Sequence, residues 1–131
     1  MLKKILIVDD SAIARQEAIR ALDGFESLEA RDGMEGAELI EQRADLDLVV
    51  CDVNMPRMNG LEMLARVRGR EANSKLKVVV LTTEGQPEMI REAKKLGAAG
   101  WLVKPFNPNQ LRAVAKKLTD SSDVDKASVE S

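Results

Sequence analysis

Four apolar runs in this sequence each end in polar side chains that could take part in chemistry. The residues concerned are Asp9, Asp10, Asp52, Thr82, Thr83 and Lys104. The 131-residue chain contains no histidine, so imidazole is excluded as a general base, a metal ligand or a phosphate carrier. Any acid–base or metal chemistry must therefore use carboxylates.

Three carboxylates at one place would need compensation, because like charges raise one another's pKa. A hard divalent cation provides it, since Mg²⁺ prefers carboxylate, carbonyl and water oxygens. With the cation bound, one carboxylate can attack phosphorus as a nucleophile. A nearby lysine and a hydroxyl group can stabilise the phosphoryl oxygens. The residue types thus favour phosphoryl chemistry, provided that the fold brings them together.

The elements that must position these residues alternate between apolar runs and amphipathic segments. Strands are predicted at residues 5–8, 25–30, 46–51, 76–81 and 100–103. Helices are predicted at 12–22 and 34–42, and from Gly60, Pro87 and Pro108 onwards. Strands that are each followed by a helix predict five βα units, with a parallel sheet covered on both faces. We expect residues 1–118 to form the domain and 119–131 to form a polar tail.

Sites in open α/β sheets form beyond the carboxyl ends of the strands. The polar residues after strands 1, 3, 4 and 5 should therefore meet at one edge of the sheet. Each also has a simpler explanation. Asp9-Asp10 could form a solvated turn, and Asp52 could cap a helix. Thr82 and Thr83 could be ordinary sheet residues. Their joint occurrence at strand ends favours a site.

Composition limits the class of protein. Apolar residues make up 44% of the chain and charged residues 32%, as in ordinary globular domains. No apolar run approaches the roughly 20 residues of a membrane span. The net charge of −2 gives no affinity for nucleic acid by itself. The one cysteine, Cys51, cannot form an internal disulfide and is expected in the core, which fits a cytoplasmic protein.

Longer motifs surround these polar residues and occur in order along the chain. They are Ile7-Val8-Asp9-Asp10-Ser11, Asp52-Val53-Asn54-Met55-Pro56-Arg57-Met58-Asn59-Gly60, Leu81-Thr82-Thr83 and Gly100-Trp101-Leu102-Val103-Lys104-Pro105-Phe106. With these motifs the chain resembles response-regulator receiver domains of the CheY-like type, from about residue 3 to residue 118. The resemblance implies a flavodoxin-like, doubly wound, five-stranded parallel sheet of order 2-1-3-4-5 with five helices.

The resemblance also implies a role for each polar residue. Asp52 would accept the phosphoryl group and help to bind the metal. The metal would be Mg²⁺, and Mn²⁺ could replace it. Asp10 would bind the metal directly, Asp9 mainly through water, and Asn54 through its backbone carbonyl. Lys104 would pair with Asp52 before phosphorylation and with a phosphoryl oxygen afterwards.

A second group of residues would control the switch. Thr82 would hydrogen-bond the phosphoryl group. Trp101 would occupy an aromatic switch position, although a half-buried indole on an edge strand would look the same in the sequence. The peptide bond between Lys104 and Pro105 would be cis. Residues that follow Asp52 and Thr82 would tune hydrolysis; these are Asn54, Thr83 and Glu84.

The resemblance further implies the partners. A sensor histidine kinase or a small phosphodonor would phosphorylate Asp52. The switched surface would bind an output protein such as a flagellar motor switch component or a phosphatase. Because the residues after Leu118 are mostly polar, we expect a stand-alone receiver. Its motifs resemble those of chemotaxis-type members, which implies a monomeric, cytoplasmic protein with no nucleic-acid or membrane partner. It would not be an enzyme, apart from catalysing phosphoryl transfer to itself and its own dephosphorylation.

Other functions stay open on the sequence alone. A phosphate sink, or a degenerate receiver that binds partners without phosphorylation, would keep the same fold. The complete acidic set argues against the degenerate receiver. A Mg²⁺-dependent phosphohydrolase would need a general-acid Asp soon after its nucleophile, and Asn54 stands two residues after Asp52.

Overall fold

The computed structural model describes residues 2–55, 57–83 and 87–120. Its strands are β1 (Lys4–Val8), β2 (Glu26–Ala30), β3 (Leu48–Asp52), β4 (Val78–Thr83) and β5 (Gly100–Lys104). Its helices are α1 (Ala12–Ala21), α2 (Gly33–Gln42), α3 (Gly60–Arg68), α4 (Pro87–Lys95) and α5 (Pro108–Thr119), with a short 3₁₀ turn at Glu71–Asn73. All strand pairs are parallel and the order is β2-β1-β3-β4-β5, so the predicted fold class is confirmed.

The sheet separates two aliphatic core layers, because alternate side chains of a strand point to opposite faces. The first layer joins the sheet to α2, α3 and α4; its buried strand residues are Leu6, Val8, Ala30, Val49, Cys51, Val78 and Val80. The second layer joins the sheet to α1 and α5; its strand residues are Ile5, Ile7, Leu48, Val50, Val79 and Leu81. Cys51 thus lies in the core, where burial raises the pKa of its thiol.

Side-chain caps fix where the helices begin. The Ser11 hydroxyl accepts a hydrogen bond from the Ala14 N–H at 3.1 Å and starts α1 directly after β1. Asn59 and Asn107 start α3 and α5 with capping boxes, in which the cap and the residue three positions on bond each other's backbone N–H. These caps fix the point at which each of these three loops at the carboxyl edge of the sheet passes into its helix.

Three strands continue past the ends that the sequence predicted, and one of them, β5, ends at Lys104 instead of residue 103. β3 and β4 begin two residues later than expected and continue to Asp52 and Thr83. The parallel register pairs Asp52 with Leu81, and Thr83 with Lys104. Polar residues that the sequence assigned to the loops are therefore the last residues of the strands, where the ladder fixes their backbone.

The carboxyl-terminal part of the described chain is helical. α5 ends at Thr119, one residue past the predicted end of the domain. Most of the predicted polar tail, residues 121–131, lies outside the described residues. Among the helices that the structure describes, none has both the length and the apolarity needed to cross a bilayer.

Candidate functional site

Three carboxylates meet where β1 and β3 end. Asp9 and Asp10 follow β1, and Asp52 is the last residue of β3. Each offers one carboxylate oxygen, and these three oxygens lie within 4.8 Å of one another. Only 3% of Asp9 and 6% of Asp52 is exposed, whereas Asp10 faces solvent. The fold thus brings together the three acidic residues that the sequence assigns to one edge of the sheet.

An ammonium group bridges the two buried carboxylates. Lys104 Nζ lies 3.1 Å from Asp52 Oδ2 and 3.5 Å from Asp9 Oδ2. Lys104 is the last residue of β5 and pairs with Thr83 of β4, and its peptide bond to Pro105 is cis. The edge strand β5 therefore supplies a cation to the cluster from across β4.

The charges of the cluster alter one another's ionisation. Burial raises the pKa of Asp52 above its ordinary value of 3.8; Lys104 offsets part of that rise and the Asp9 carboxylate adds to it. Burial by itself would lower the pKa of Lys104. The Asp52 and Asp9 carboxylates outweigh that effect and raise the pKa of the ammonium above 10.5. Lys104 is therefore charged at neutral pH, and the fold disfavours the charged form of Asp52.

Backbone N–H groups hold the remaining oxygens of the buried pair. The Ser11 N–H donates to Asp9 Oδ1 at 2.9 Å, and the Asn54 N–H donates to Asp52 Oδ1 at 3.2 Å. Each buried carboxylate is thus bonded to Lys104 through one oxygen and to the main chain through the other. Both carboxylates are oriented before any ligand binds.

This donor set fits a divalent cation. When all three carboxylates are ionised, the one ammonium leaves two negative charges uncompensated at the cluster. Carboxylate oxygens are the hard ligands that Mg²⁺ prefers. Softer ligands do not compete, because the chain has no histidine and Cys51 belongs to the core. A Mg²⁺ ion held here would neutralise the cluster.

Thr82 and Thr83 lie on opposite faces of β4. Thr82 is fully buried, and its Oγ1 has no hydrogen-bond partner among the residues that the structure describes. Thr83 is exposed and lines a cavity of about 590 Å³ together with Asp9 and Lys104. Burying a hydroxyl without a partner costs about 1–3 kcal/mol. Of the two threonines, Thr82 is therefore the one whose hydroxyl needs an acceptor.

Replacing Thr82 with valine should stabilise the unphosphorylated protein by about 1–2 kcal/mol, because the unpartnered hydroxyl is removed while the shape is nearly kept. Thr119→Val is the matched control. Thr119 Oγ1 is also buried but donates to the carbonyl oxygen of Ala115 at 2.8 Å, so the same change should cost about 0.5–1.5 kcal/mol. Urea denaturation measures both. If both substitutions destabilise the protein, the Thr82 hydroxyl has a partner in solution.

Trp101 lies on β5, half-buried against the first core layer. It pairs with Val80, two residues before Thr82, so strand alternation puts the side chains of Thr82 and Trp101 on the same face of the sheet. The Lys94 ammonium lies 4.8 Å from the centroid of the indole ring, within cation–π range. The indole thus shares a sheet face with Thr82 and also contacts the Lys94 ammonium of α4.

Two contacts at the site had no counterpart in the sequence interpretation. The Arg15 guanidinium bonds the backbone carbonyl of Asp9, with 2.7 Å between Nη1 and the oxygen. Gly60 lies so close to β3 that a Cβ there would overlap the carbonyl oxygen of Asp52. An arginine on an amphipathic helix looks solvent-exposed in sequence, and Asn59-Gly60 indicated only a helix start. Glu84, predicted to tune hydrolysis, lies outside the described residues.

Comparison with known proteins relates the sequence and the fold to one family. Residues 5–116 match the response regulator receiver domain. The chain is 34% identical to the chemotaxis protein CheY1 of Helicobacter pylori, over 92% of this chain and 99% of that protein. It is also 34% identical to sporulation initiation phosphotransferase F of Bacillus subtilis, over 89% and 94%. The solved structure of the chemotaxis response regulator CheY4 of Vibrio cholerae is 38% identical, with a TM-score of 0.82 over 90% of this chain and 99% of that one.

Proposed function

This chain belongs to the response regulator receiver domain family, and from that premise we propose that it carries a phosphoryl group on Asp52. A histidine kinase or a small phosphodonor delivers the group, and the phosphorylated protein binds its output partner with a different affinity. The observation that supports this best is the Asp52 carboxylate, which Lys104 and the Asn54 N–H orient inside a donor set for a divalent cation.

Transfer uses ionised Asp52 as the nucleophile. One of its oxygens attacks the phosphorus while the bond from phosphorus to the donor nitrogen or oxygen breaks, and the bonding pair leaves with the donor. The Lys104 ammonium, 3.1 Å from Asp52 Oδ2, is close enough to pair with the phosphoryl oxygens as their charge develops. Asp52 and Lys104 thus supply the attacking group and a compensating charge.

Asp9, Asp10, Asp52 and the backbone carbonyl of Asn54 are the groups that we propose hold the cation. Mg²⁺, or Mn²⁺ in its place, supplies charge neutralisation of the carboxylates and the phosphoryl oxygens when bound. Asp9 and Asp52 contribute buried oxygens that are already oriented, and Asp10 contributes a solvent-facing one. The exposed side of Asp10 is the side from which cation and phosphodonor reach Asp52.

The signal passes from Asp52 to β4 and β5. A phosphoryl group on Asp52 adds oxygen acceptors next to Lys104, and the orphaned hydroxyl of Thr82 gains a partner by turning towards them. That movement changes the packing of the sheet face that Thr82 shares with Trp101. A modification shifts the equilibrium between the inactive and active conformations only if it interacts differently with the two. In this proposal the contacts of the phosphoryl group with Thr82 and Lys104 supply that difference in interaction.

The signal ends by hydrolysis in place. Water attacks the phosphorus, the bond from phosphorus to the Asp52 oxygen breaks, and inorganic phosphate leaves behind a free carboxylate. Asn54 and Thr83 are exposed and adjoin Asp52 and Lys104 respectively. We propose that these two residues, with Glu84, tune the access of this water and therefore the lifetime of the signal.

Similarity to chemotaxis proteins favours a role in motility signalling. In this role the phosphodonor is a sensor histidine kinase, and the output partner is a flagellar motor switch component or a phosphatase. The protein acts as a cytoplasmic monomer. The exposed basic residues of α4, which are Arg91, Lys94 and Lys95, suit an acidic segment of the output partner, because complementary charge steers association.

A binding experiment with beryllofluoride, an anion that mimics the phosphoryl group, tests the proposal. With Mg²⁺ and beryllofluoride present, the wild-type protein should change its affinity for an immobilised flagellar switch protein. The emission of Trp101, the only tryptophan in the chain, should change as well. Asp52→Asn should respond in neither measurement. Beryllofluoride-dependent binding that persists in this variant would refute a switch centred on Asp52.

Similarity to a sporulation phosphotransferase favours a second candidate function, a phosphorelay carrier or phosphate sink. Asp52 would accept the group in the same way and then pass it to a histidine nitrogen of another protein or to water. Incubating the phosphorylated protein with a histidine phosphotransfer domain separates the two functions. Rapid transfer of the phosphoryl group to that domain, together with the absence of beryllofluoride-dependent partner binding, would indicate a phosphorelay carrier.

A further inference from the structure

The third carboxylate of the cluster is positioned differently from the other two. Asp9 and Asp52 are each held by a backbone N–H and by Lys104. The Asp10 carboxylate is exposed and accepts no hydrogen bond from the described part of the chain. Its place in the cluster therefore depends on the backbone that carries it.

Arg15 of α1 fastens that backbone. Its Nη1 donates to the carbonyl oxygen of Asp9 at 2.7 Å, and its Nε donates to Glu29 Oε1 of β2 at 2.8 Å. The carbonyl belongs to the peptide group that joins Asp9 to Asp10. The Asp9 N–H donates in turn to the carbonyl oxygen of Ala30 at 3.1 Å. The main chain that leads into Asp10 is thus tied to β2 on both sides of Asp9.

The Arg15 side chain is well placed to act as a fixed support. Only 12% of it is exposed, although it lies on a surface helix. Hydrogen bonds from a charged donor are shorter and about twice as strong as neutral ones. Because the guanidinium bonds Asp9 and Glu29 at once, the β1–α1 turn cannot rotate without breaking one of these bonds.

We propose that Arg15 is a positioning residue of the divalent-cation site, which sets the Asp9–Asp10 peptide group so that the Asp10 carboxylate faces the cluster. The inference rests on the proposed function in one respect, namely that a divalent cation binds these carboxylates. Arg15 itself contacts none of the three carboxylates. Groups that orient metal ligands in this way typically change metal affinity by about 10–100-fold when they are removed.

The positioning role and the charge of Arg15 predict opposite effects on cation binding when Arg15 is replaced. Removing a positive charge near three carboxylates should strengthen their attraction for a cation, whereas losing the bond that positions Asp10 should weaken cation binding. Glu29 allows the two effects to be separated. The double variant with Arg15→Gln and Glu29→Gln removes the guanidinium bond to Asp9 and leaves the net charge unchanged.

Isothermal titration of the full chain with Mg²⁺ alone measures the effect. The double variant should bind Mg²⁺ about tenfold or more weakly than the wild-type protein. Glu29→Gln, which keeps an acceptor for Arg15, should stay within about threefold. So should Arg20→Gln, which makes the same charge change as Arg15→Gln at the exposed far end of α1, because distant surface charges are screened by salt. Circular dichroism in EDTA shows whether each variant is folded without the metal.

The Mg²⁺ affinities of these variants either support or overturn the positioning role of Arg15. An unchanged or higher affinity in the folded double variant would overturn the role of Arg15 and leave the cation site intact. If the double variant does not fold, Arg15→Gln is compared with Arg20→Gln. Weaker binding by Arg15→Gln supports the proposal, and equal or stronger binding overturns it. A wild-type protein that binds no Mg²⁺ would overturn the proposed function, and this inference with it.

Discussion

Replacing Asp52 with asparagine should abolish phosphoryl uptake and, without Mg²⁺, make the protein more stable. Uptake is lost because the amide does not replace the carboxylate as a nucleophile. Stability rises because the fold disfavours the charged carboxylate, whose pKa is raised by burial and by Asp9. The amide removes that cost, and its oxygen can still accept a bond from Lys104. We expect the free energy of unfolding at pH 7 to rise by about 1 kcal/mol, the usual scale of a single substitution.

The pH dependence checks the cause of this gain. A carboxyl group with a higher pKa in the folded than in the unfolded protein holds its proton better when folded, so it lowers stability as the pH rises from about 3.8 through the folded pKa. Wild-type protein and Asp52→Asn should therefore converge at acid pH and differ most at neutral pH. Urea denaturation at several pH values gives the comparison.

Added Mg²⁺ should reverse the order of stability. A ligand that binds only the folded protein stabilises it, and the variant has lost one of the three carboxylates. Asp23→Asn, an exposed acidic residue in the turn after α1, is the control and should follow the wild-type protein with and without Mg²⁺. If Asp52→Asn is less stable than wild-type protein at pH 7 without Mg²⁺, the ion pair with Lys104 outweighs the cost of burial.

Replacing Gly60 with alanine should destabilise the fold and disturb the phosphorylation site together. A Cβ at residue 60 would overlap the carbonyl oxygen of Asp52 and lie 3.1 Å from Cys51 Sγ. Neither neighbour can yield easily, because β3 is buried along its whole length. Overpacking of this kind costs about 1–3 kcal/mol, and here the strain falls on the residue proposed to carry the phosphoryl group.

Gly100→Ala is the matched control, because nothing lies within 4 Å of a Cβ at that position. It should change the free energy of unfolding by no more than about 0.5 kcal/mol. Urea denaturation and the rate of phosphorylation by acetyl phosphate should both separate the two variants. Equal stability of Gly60→Ala and Gly100→Ala would mean that α3 can move away from β3 in solution.

The fold and the acidic cluster could be predicted because they depend on periodic patterns. Apolar runs of four to six residues followed by amphipathic segments determine the parallel sheet, and the sheet places Asp9, Asp10 and Asp52 at one edge. The ends of the strands were less predictable, since β3, β4 and β5 extend to Asp52, Thr83 and Lys104. Polar residues at a strand end resemble loop residues until the neighbouring strand is known.

The remaining features of the site depend on three-dimensional packing that leaves no pattern in the sequence. Arg15 looks like any other arginine on an exposed helix until the chain turns back and brings the Asp9 carbonyl within 2.7 Å. The difference between Thr82 and Thr83 is likewise a matter of burial. The resemblance assigned different roles to the two threonines, but only the packing of the two core layers shows that the Thr82 hydroxyl is buried without a partner among the described residues.

That unpartnered hydroxyl of Thr82 bears on how far the output of a stimulated cell rises above that of an unstimulated one. In the proposed mechanism its cost falls on the unphosphorylated protein and is relieved when the phosphoryl group supplies an acceptor. A bias of one or two kcal/mol is a factor of about 5–30 in a two-state ratio. Residue 82 would therefore set how strongly phosphorylation shifts the switch, and it could be changed in evolution without altering the kinase or the phosphoacceptor.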